Sequence, residues 1–281
     1  MSRRALLAPA LALALAILAG CHDAAPPRAV QVRPTIVSLN PCADAILAEV
    51  AAPGQILAIS HYSRDPRASS MDLATARRLP VTGGTVEEVL ALEPDLVVAG
   101  SFLPPATAEA FDRLGIRVER LGIAHKVADS KAQIRRLAAL AGQPARGQAL
   151  VGRIEAALAE AAPPPGHHPV TAVIWQSGGI VPGRDALVSD LLARTGFASH
   201  SAARGLRQAD YLPLEEMLAD PPQVILTAGT PGDGEDRMLS HPALRALDST
   251  RRVRFDPSLL YCGGPTIIRA VRRLAEVRGG T

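Results

Sequence analysis

Short apolar, β-branched runs alternate along this chain with stretches of helical period. Residues 35–39, 55–60, 95–99 and 117–121 read as strands, and 43–50, 86–92, 106–114 and 130–141 as the helices between or after them. Such alternation needs crossover connections, so it predicts a mainly parallel sheet covered on both faces. The unbroken run Leu96-Val97-Val98 suits a strand buried on both sides. A second series follows, with strands at 170–176, 223–227 and 252–255 and helices at 186–194, 214–219 and 266–277. Between the series, Leu150, Ile154, Ala157, Leu158 and Ala161 keep helical spacing until Pro163-Pro164-Pro165-Gly166 stops it. The expected fold is α/β: a lobe at 35–142, one long connecting helix and its proline-rich stop at 143–166, and a second lobe at 167–281.

The N-terminus is of another kind. Arg3 and Arg4 precede an apolar run over 5–18, the layout of a secretory signal peptide at 1–20. The ending Leu18-Ala19-Gly20-Cys21 resembles a lipobox, so Cys21 is expected to carry lipid and hold the chain to a membrane, with 21–34 as a flexible tether. Without the leader, twenty-eight basic residues face twenty-seven acidic ones, and only Lys126 and Lys131 are lysines. This near-neutral, unclustered charge provides no footprint for nucleic acid. No nucleophile elbow or dinucleotide fingerprint accompanies a predicted strand, so an enzyme is not expected and no cofactor is called for.

An internal repeat carries more information. The segment from Glu87 to Val98 recurs 128 residues later from Glu215 to Leu226, with five of twelve positions identical. Each copy reads as a helix opening on two carboxylates, a proline stop and a buried strand. Acidic residues at a helix start serve the macrodipole. Glu87 and Glu215 also occupy matching positions if both lobes share one plan, and two such knobs suit a dimeric partner offering an arginine pocket per subunit.

The run Ile36-Val37-Ser38-Leu39-Asn40-Pro41-Cys42-Ala43-Asp44, the two glutamate copies, the central helix and Tyr261-Cys262-Gly263-Gly264-Pro265 together resemble the cobalamin and ferric-siderophore periplasmic-binding family, over nearly all of 35–277. The resemblance implies two Rossmann-like lobes on a rigid helix and a metal-chelate ligand (ferric siderophore, haem or cobalamin) in the cleft between them. It further implies an extracytoplasmic monomer that docks to an ABC permease dimer through Glu87 and Glu215.

Open α/β sheets bind ligands beyond the carboxyl ends of their strands. That rule selects Asn40, Pro41, Cys42, Tyr62, Ser63 and Phe102 in the first lobe, and Trp175, Gln176, Arg184, Tyr261, Cys262 and Gly263 in the second. Aromatic faces with a few polar groups suit a large planar or chelated ligand. Cys42 and Cys262 each follow a predicted strand in a different lobe. They read as a disulfide, with soft metal ligands or two buried thiols as the other readings. Related importers bind bare zinc or manganese through histidines and a carboxylate, and His61, His125, His200 and Asp256 form the alternative metal set.

Overall fold

The computed structural model describes residues 33–229 and 241–280. The expected leader, Cys21 and residues 21–32 of the tether lie outside them. The first lobe runs β1 (Ile36–Ser38), α1 (Pro41–Val50), β2 (Ile56–Ser60), α2 (Leu73–Arg77), β3 (Val81–Thr82), α3 (Val86–Ala91), β4 (Leu96–Gly100), α4 (Pro105–Arg113), β5 (Val118–Leu121) and α5 (Val127–Leu140). After α6 (Pro144–Glu160) come β6 (Val170–Gln176), β7 (Ile180–Val181), α7 (Leu187–Arg194), β8 (Phe197–Ser199), α8 (His200–Ala203) and β9 (Asp210–Tyr211). The second lobe closes with α9 (Leu214–Ala219), β10 (Val224–Ala228), α10 (Pro242–Arg245), β11 (Arg251–Arg254) and α11 (Thr266–Gly279).

The first sheet has the order β3-β2-β1-β4-β5 and the second β11-β10-β6-β8, and every pairing within them is parallel. Read from its other edge, β8-β6-β10-β11 reproduces β2-β1-β4-β5, so the sequence repeat is also a repeat of topology. One detail shows how close the two plans are. Asp95 Oδ2 accepts from the amide and hydroxyl of Thr35 at 2.7 and 2.9 Å, and Thr35 Oγ1 accepts from the Asp95 amide. Gln223, the repeat partner of Asp95, makes the same clasp with Thr171 at 2.9, 3.3 and 3.0 Å.

Strand alternation sorts the core into layers. Ile36, Leu96 and Val98 of the first sheet, with Ala172, Ile174, Val224 and Leu226 of the second, enter one apolar core shared with α1, α5, α6, α7 and α11. The intervening Val37 and Val97 face Val89 of α3, while Val173, Trp175 and Ile225 face Met217 of α9. Each sheet therefore turns one face to a common helical seam and the other to its glutamate-bearing helix. The chain passes between the sheets once, through α6, a rod of about 25 Å. Lys131 of α5 pairs with Glu155 of α6 at 2.7 Å, and Arg153 of α6 with Glu49 of α1 at 2.6 Å.

The seam is tight where α5 meets α6. A Cβ on Gly147 would stand 2.4 Å from the Ala138 Cβ and 3.4 Å from the Ile134 carbonyl. Alanine gains about 1 kcal/mol of helix propensity over glycine, but overpacking costs about 1–3 kcal/mol. Gly147→Ala is expected to lower the urea unfolding midpoint; an unchanged or raised midpoint would show that the helices part freely.

Candidate functional site

The carboxyl ends of β1 and β4 border the point where the strand order of the first sheet reverses. Asn40, just after β1, turns the chain into α1: its Oδ1 accepts from the amides of Cys42 and Ala43 at 2.9 and 3.0 Å, an N-cap reinforced by Pro41. One turn further in, Asp44 is fully buried. Its Oδ2 accepts from the Ser60 amide at 2.9 Å and the Ser63 hydroxyl at 2.6 Å, while its Oδ1 has no hydrogen-bond partner among the described residues. Burial pushes this carboxyl up to about 7 against the opposing hydroxyls of Ser38 and Ser63 and the amide of Ser60.

From the second lobe, the loop after β11 reaches across to the first. Cys262 is disulfide-bonded to Cys42, with the Cα atoms 5.1 Å apart. The two glycines that follow explain the rest of that sequence. A side chain on Gly263 would strike Ser130 Oγ at 2.5 Å, and one on Gly264, whose φ is +63°, would strike Ile46 at 2.7 Å. The Gly264 amide instead donates to Ser130 Oγ at 2.7 Å. Asp190 Oδ2 accepts from the Val127 amide at 2.9 Å, Asp185 O lies 2.6 Å from His125 Nδ1, and Arg269 donates to the Ser70 carbonyl.

Above this floor lies a cleft of about 380 Å³ between the lobes, within the usual range for ligand pockets of roughly 300–1,000 Å³. Asn40, Cys42, Phe102, Gln176, Tyr261, Cys262 and Gly263 line it, as do Gln133, Ile123, Leu187 and Gln208. Phe102 is 85% exposed, an aromatic face at the rim. Burial, with Asp256 and Asp65 nearby, pushes the Tyr261 phenol up.

Five expected residues do not line it. Trp175 alternates away from Gln176 and is wholly buried behind the sheet with Met217 and Leu244. Ser63 is buried on Asp44, Pro41 opens α1, and Tyr62 is exposed with its ring 4.0 Å from that of His61. Arg184 is exposed and stands 3.9 Å from Asp185.

The alternative metal set is not assembled either. His61 Nδ1 lies 3.3 Å from the Thr82 carbonyl, His125 contacts Asp185, and Asp256 caps a 3-10 turn through the Ser258 amide. His200 is buried, and desolvation holds its imidazole below the ordinary range. Among the described residues no three His, Cys, Asp or Glu side chains come together to hold an ion.

Gln133 and Gln208 are lining residues that the strand-end rule misses. Gln133 belongs to α5, but its Nε2 reaches back to the Gly122 carbonyl at 2.7 Å. Gln208 precedes β9, whose two residues pair antiparallel with β7 and leave no periodic signal.

The glutamates of the repeat part company. Glu88 Oε2 accepts from Thr82 Oγ1 at 2.6 Å and from the amides of Gly83 and Gly84 at 2.6 and 3.1 Å, and these bonds, the Thr82 hydroxyl first, hold its carboxyl below the ordinary range. Glu87 and Glu215 are exposed and make no hydrogen bond or ion pair among the described residues. α3 opens beside the end of β3, and Leu212, just before α9, bonds Gly179 beyond β6, so both helices begin at the carboxyl edge of their sheets.

The Periplasmic binding protein family profile matches residues 36–258, and the chain belongs to that family of substrate-binding proteins. No curated protein sequence matches it. Among solved structures it is similar to the periplasmic heme-binding protein RhuT of Roseiflexus sp. RS-1, with 21% identity and a TM-score of 0.66 over 86% of this chain and 96% of that one. The periplasmic heme-binding protein HutB of Vibrio cholerae gives 18%, 0.69, 87% and 98%. The periplasmic vitamin B12-binding protein BtuF of the same organism gives 19%, 0.66, 88% and 98%.

The raised Asp44 carboxyl has a consequence for stability. With the folded value near 7 and the unfolded value near 3.8, its contribution is fully present below pH 3.8 and is lost as pH rises through 7. The span corresponds to about 4 kcal/mol. Asp44→Asn is expected to flatten the fall in unfolding free energy between pH 4 and 7 and to stabilise the neutral protein. An unaltered pH profile would contradict the assignment.

Proposed function

We propose that this chain is the substrate-binding component of an ABC importer, capturing a metal chelate in the interlobe cleft and delivering it to the permease dimer. The observation that carries this reading is the cleft itself, lined from both lobes at the carboxyl ends of two like-built sheets. Haem- and vitamin B12-binding neighbours support a chelate, whether ferric siderophore, haem or cobalamin, as the ligand. Lobes at 35–142 and 167–281 on a connector at 143–166 make the capturing unit. It works as a monomer held to the membrane by lipid on Cys21.

Capture is reversible, with little hinge motion, because the lobes share a core and a disulfide and not only a linker. Asn40, Phe102, Gln176, Tyr261 and Gly263 contact the ligand, and the Cys42–Cys262 bridge forms part of its bed. Delivery uses Glu87 and Glu215, each seated beside a carboxylate of its own helix and open to arginine partners.

Reversing both charges tests delivery apart from capture. Glu87→Arg with Glu215→Arg is expected to weaken docking about 100-fold and abolish uptake, while chelate affinity stays within about twofold. Uptake that survives the double change would reduce the pair to helix-end electrostatics.

A further inference from the structure

The polar side chains described in the cleft lining are all carboxamides and hydroxyls. Asn40 and Gln133 from the first lobe and Gln176 and Gln208 from the second place four carboxamides around it, with the hydroxyls of Ser101 and Tyr261. No Arg, Lys, His, Asp or Glu is among the described lining residues. The amides are not all spent on the fold. Asn40 commits Oδ1 to its helix cap and keeps Nδ2; Gln133 commits Nε2 to Gly122 and keeps Oε1. Gln176 and Gln208 make no side-chain hydrogen bond among the described residues, so each offers a donor and an acceptor.

From this lining we infer that the cleft selects a chelate with an uncharged, amide- or hydroxyl-bearing periphery and discriminates against chelates carrying free carboxylates or catecholates. The inference rests on the chelate-binding reading above and narrows it. A carboxylate brought against this lining loses water and finds no cation among the described lining residues to replace it. Two arginines of the second lobe face a carboxylate of their own: Arg207 Nε lies 3.0 Å from Asp185 Oδ2, and Arg184 Nε lies 3.9 Å from Asp185 Oδ1. Burial, with Asp256 and Asp65 nearby, favours the protonated Tyr261 phenol, a hydrogen-bond donor suited to an amide- or hydroxyl-bearing rim. Those two carboxylates also repel an anionic chelate at that end. An amide-rimmed ligand instead meets amide donors and acceptors from both lobes, with Phe102, Ile123 and Leu187 against its apolar surface.

The test is equilibrium dialysis of the full chain against four probes at one ionic strength: a neutral ferric trihydroxamate, cyanocobalamin, haemin and a triply anionic ferric triscatecholate. At least one neutral probe is expected to bind about 100-fold more tightly than either anionic probe, with an affinity that changes less than about twofold on raising salt to 0.5 M. Placing arginines in the lining by Gln176→Arg, at a half-buried position, with Gln208→Arg, at an exposed one, is expected to narrow that gap by about tenfold. Haemin or the catecholate binding as tightly as the neutral probes would overturn the selectivity and leave chelate capture standing. A gap unmoved by the two arginines would also overturn it, by removing the amides as its cause. Failure of all four probes to bind would overturn chelate capture itself, and the selectivity with it.

Discussion

Two sheets that turn one face each to the same helical seam are the constraint on which the rest of this structure depends. Ile36, Leu96 and Val98 from one sheet and Ile174, Val224 and Leu226 from the other bury into a core filled by α1, α5, α6, α7 and α11. The lobes cannot part without exposing that core, so the gap between their strand ends is a standing cleft. The Cys42–Cys262 bridge closes the same arrangement covalently, joining residues 220 apart in sequence. On chain-entropy grounds a crosslink over so long a loop contributes about 5 kcal/mol. Gly263 and Gly264 serve the same end, since only residues without side chains let this loop lie on Ser130 and Ile46.

The doubling of the lobe explains why the docking and capping readings of the glutamates are compatible. Asp95 and Gln223 clasp equivalent threonines, and Val89 and Met217 plug equivalent cores. Within that common plan the polar roles differ by position. Glu88 is consumed by Thr82, Gly83 and Gly84, whereas its neighbour Glu87 and the matching Glu215 remain exposed. In the second copy Glu216 is exposed beside Glu215, so the sharing of polar roles differs between the two lobes.

Much of this was legible in the chain. Central strands such as 96–100 and 224–228 are written as continuous apolar runs because both faces are covered, and α6 shows its period because one stripe meets the seam. β3, β7 and β9 have two residues each, too few for any period, and β8 has three. The site was less legible for a physical reason. Strand ends locate the cleft, but alternation decides which side chains enter it: Gln176 does, and Trp175 next to it goes to the far core. Gln133 belongs to a helix, and its reach to Gly122 depends on how α5 lies across β5, which no local pattern records.

The account stands or falls on what occupies the cleft in the cell. Protein isolated from its native envelope, examined by absorbance spectrum and metal analysis together, addresses this directly. The prediction is a substoichiometric to equimolar transition metal accompanied by the visible band of its organic chelator. Bare zinc or manganese with no visible band would contradict it.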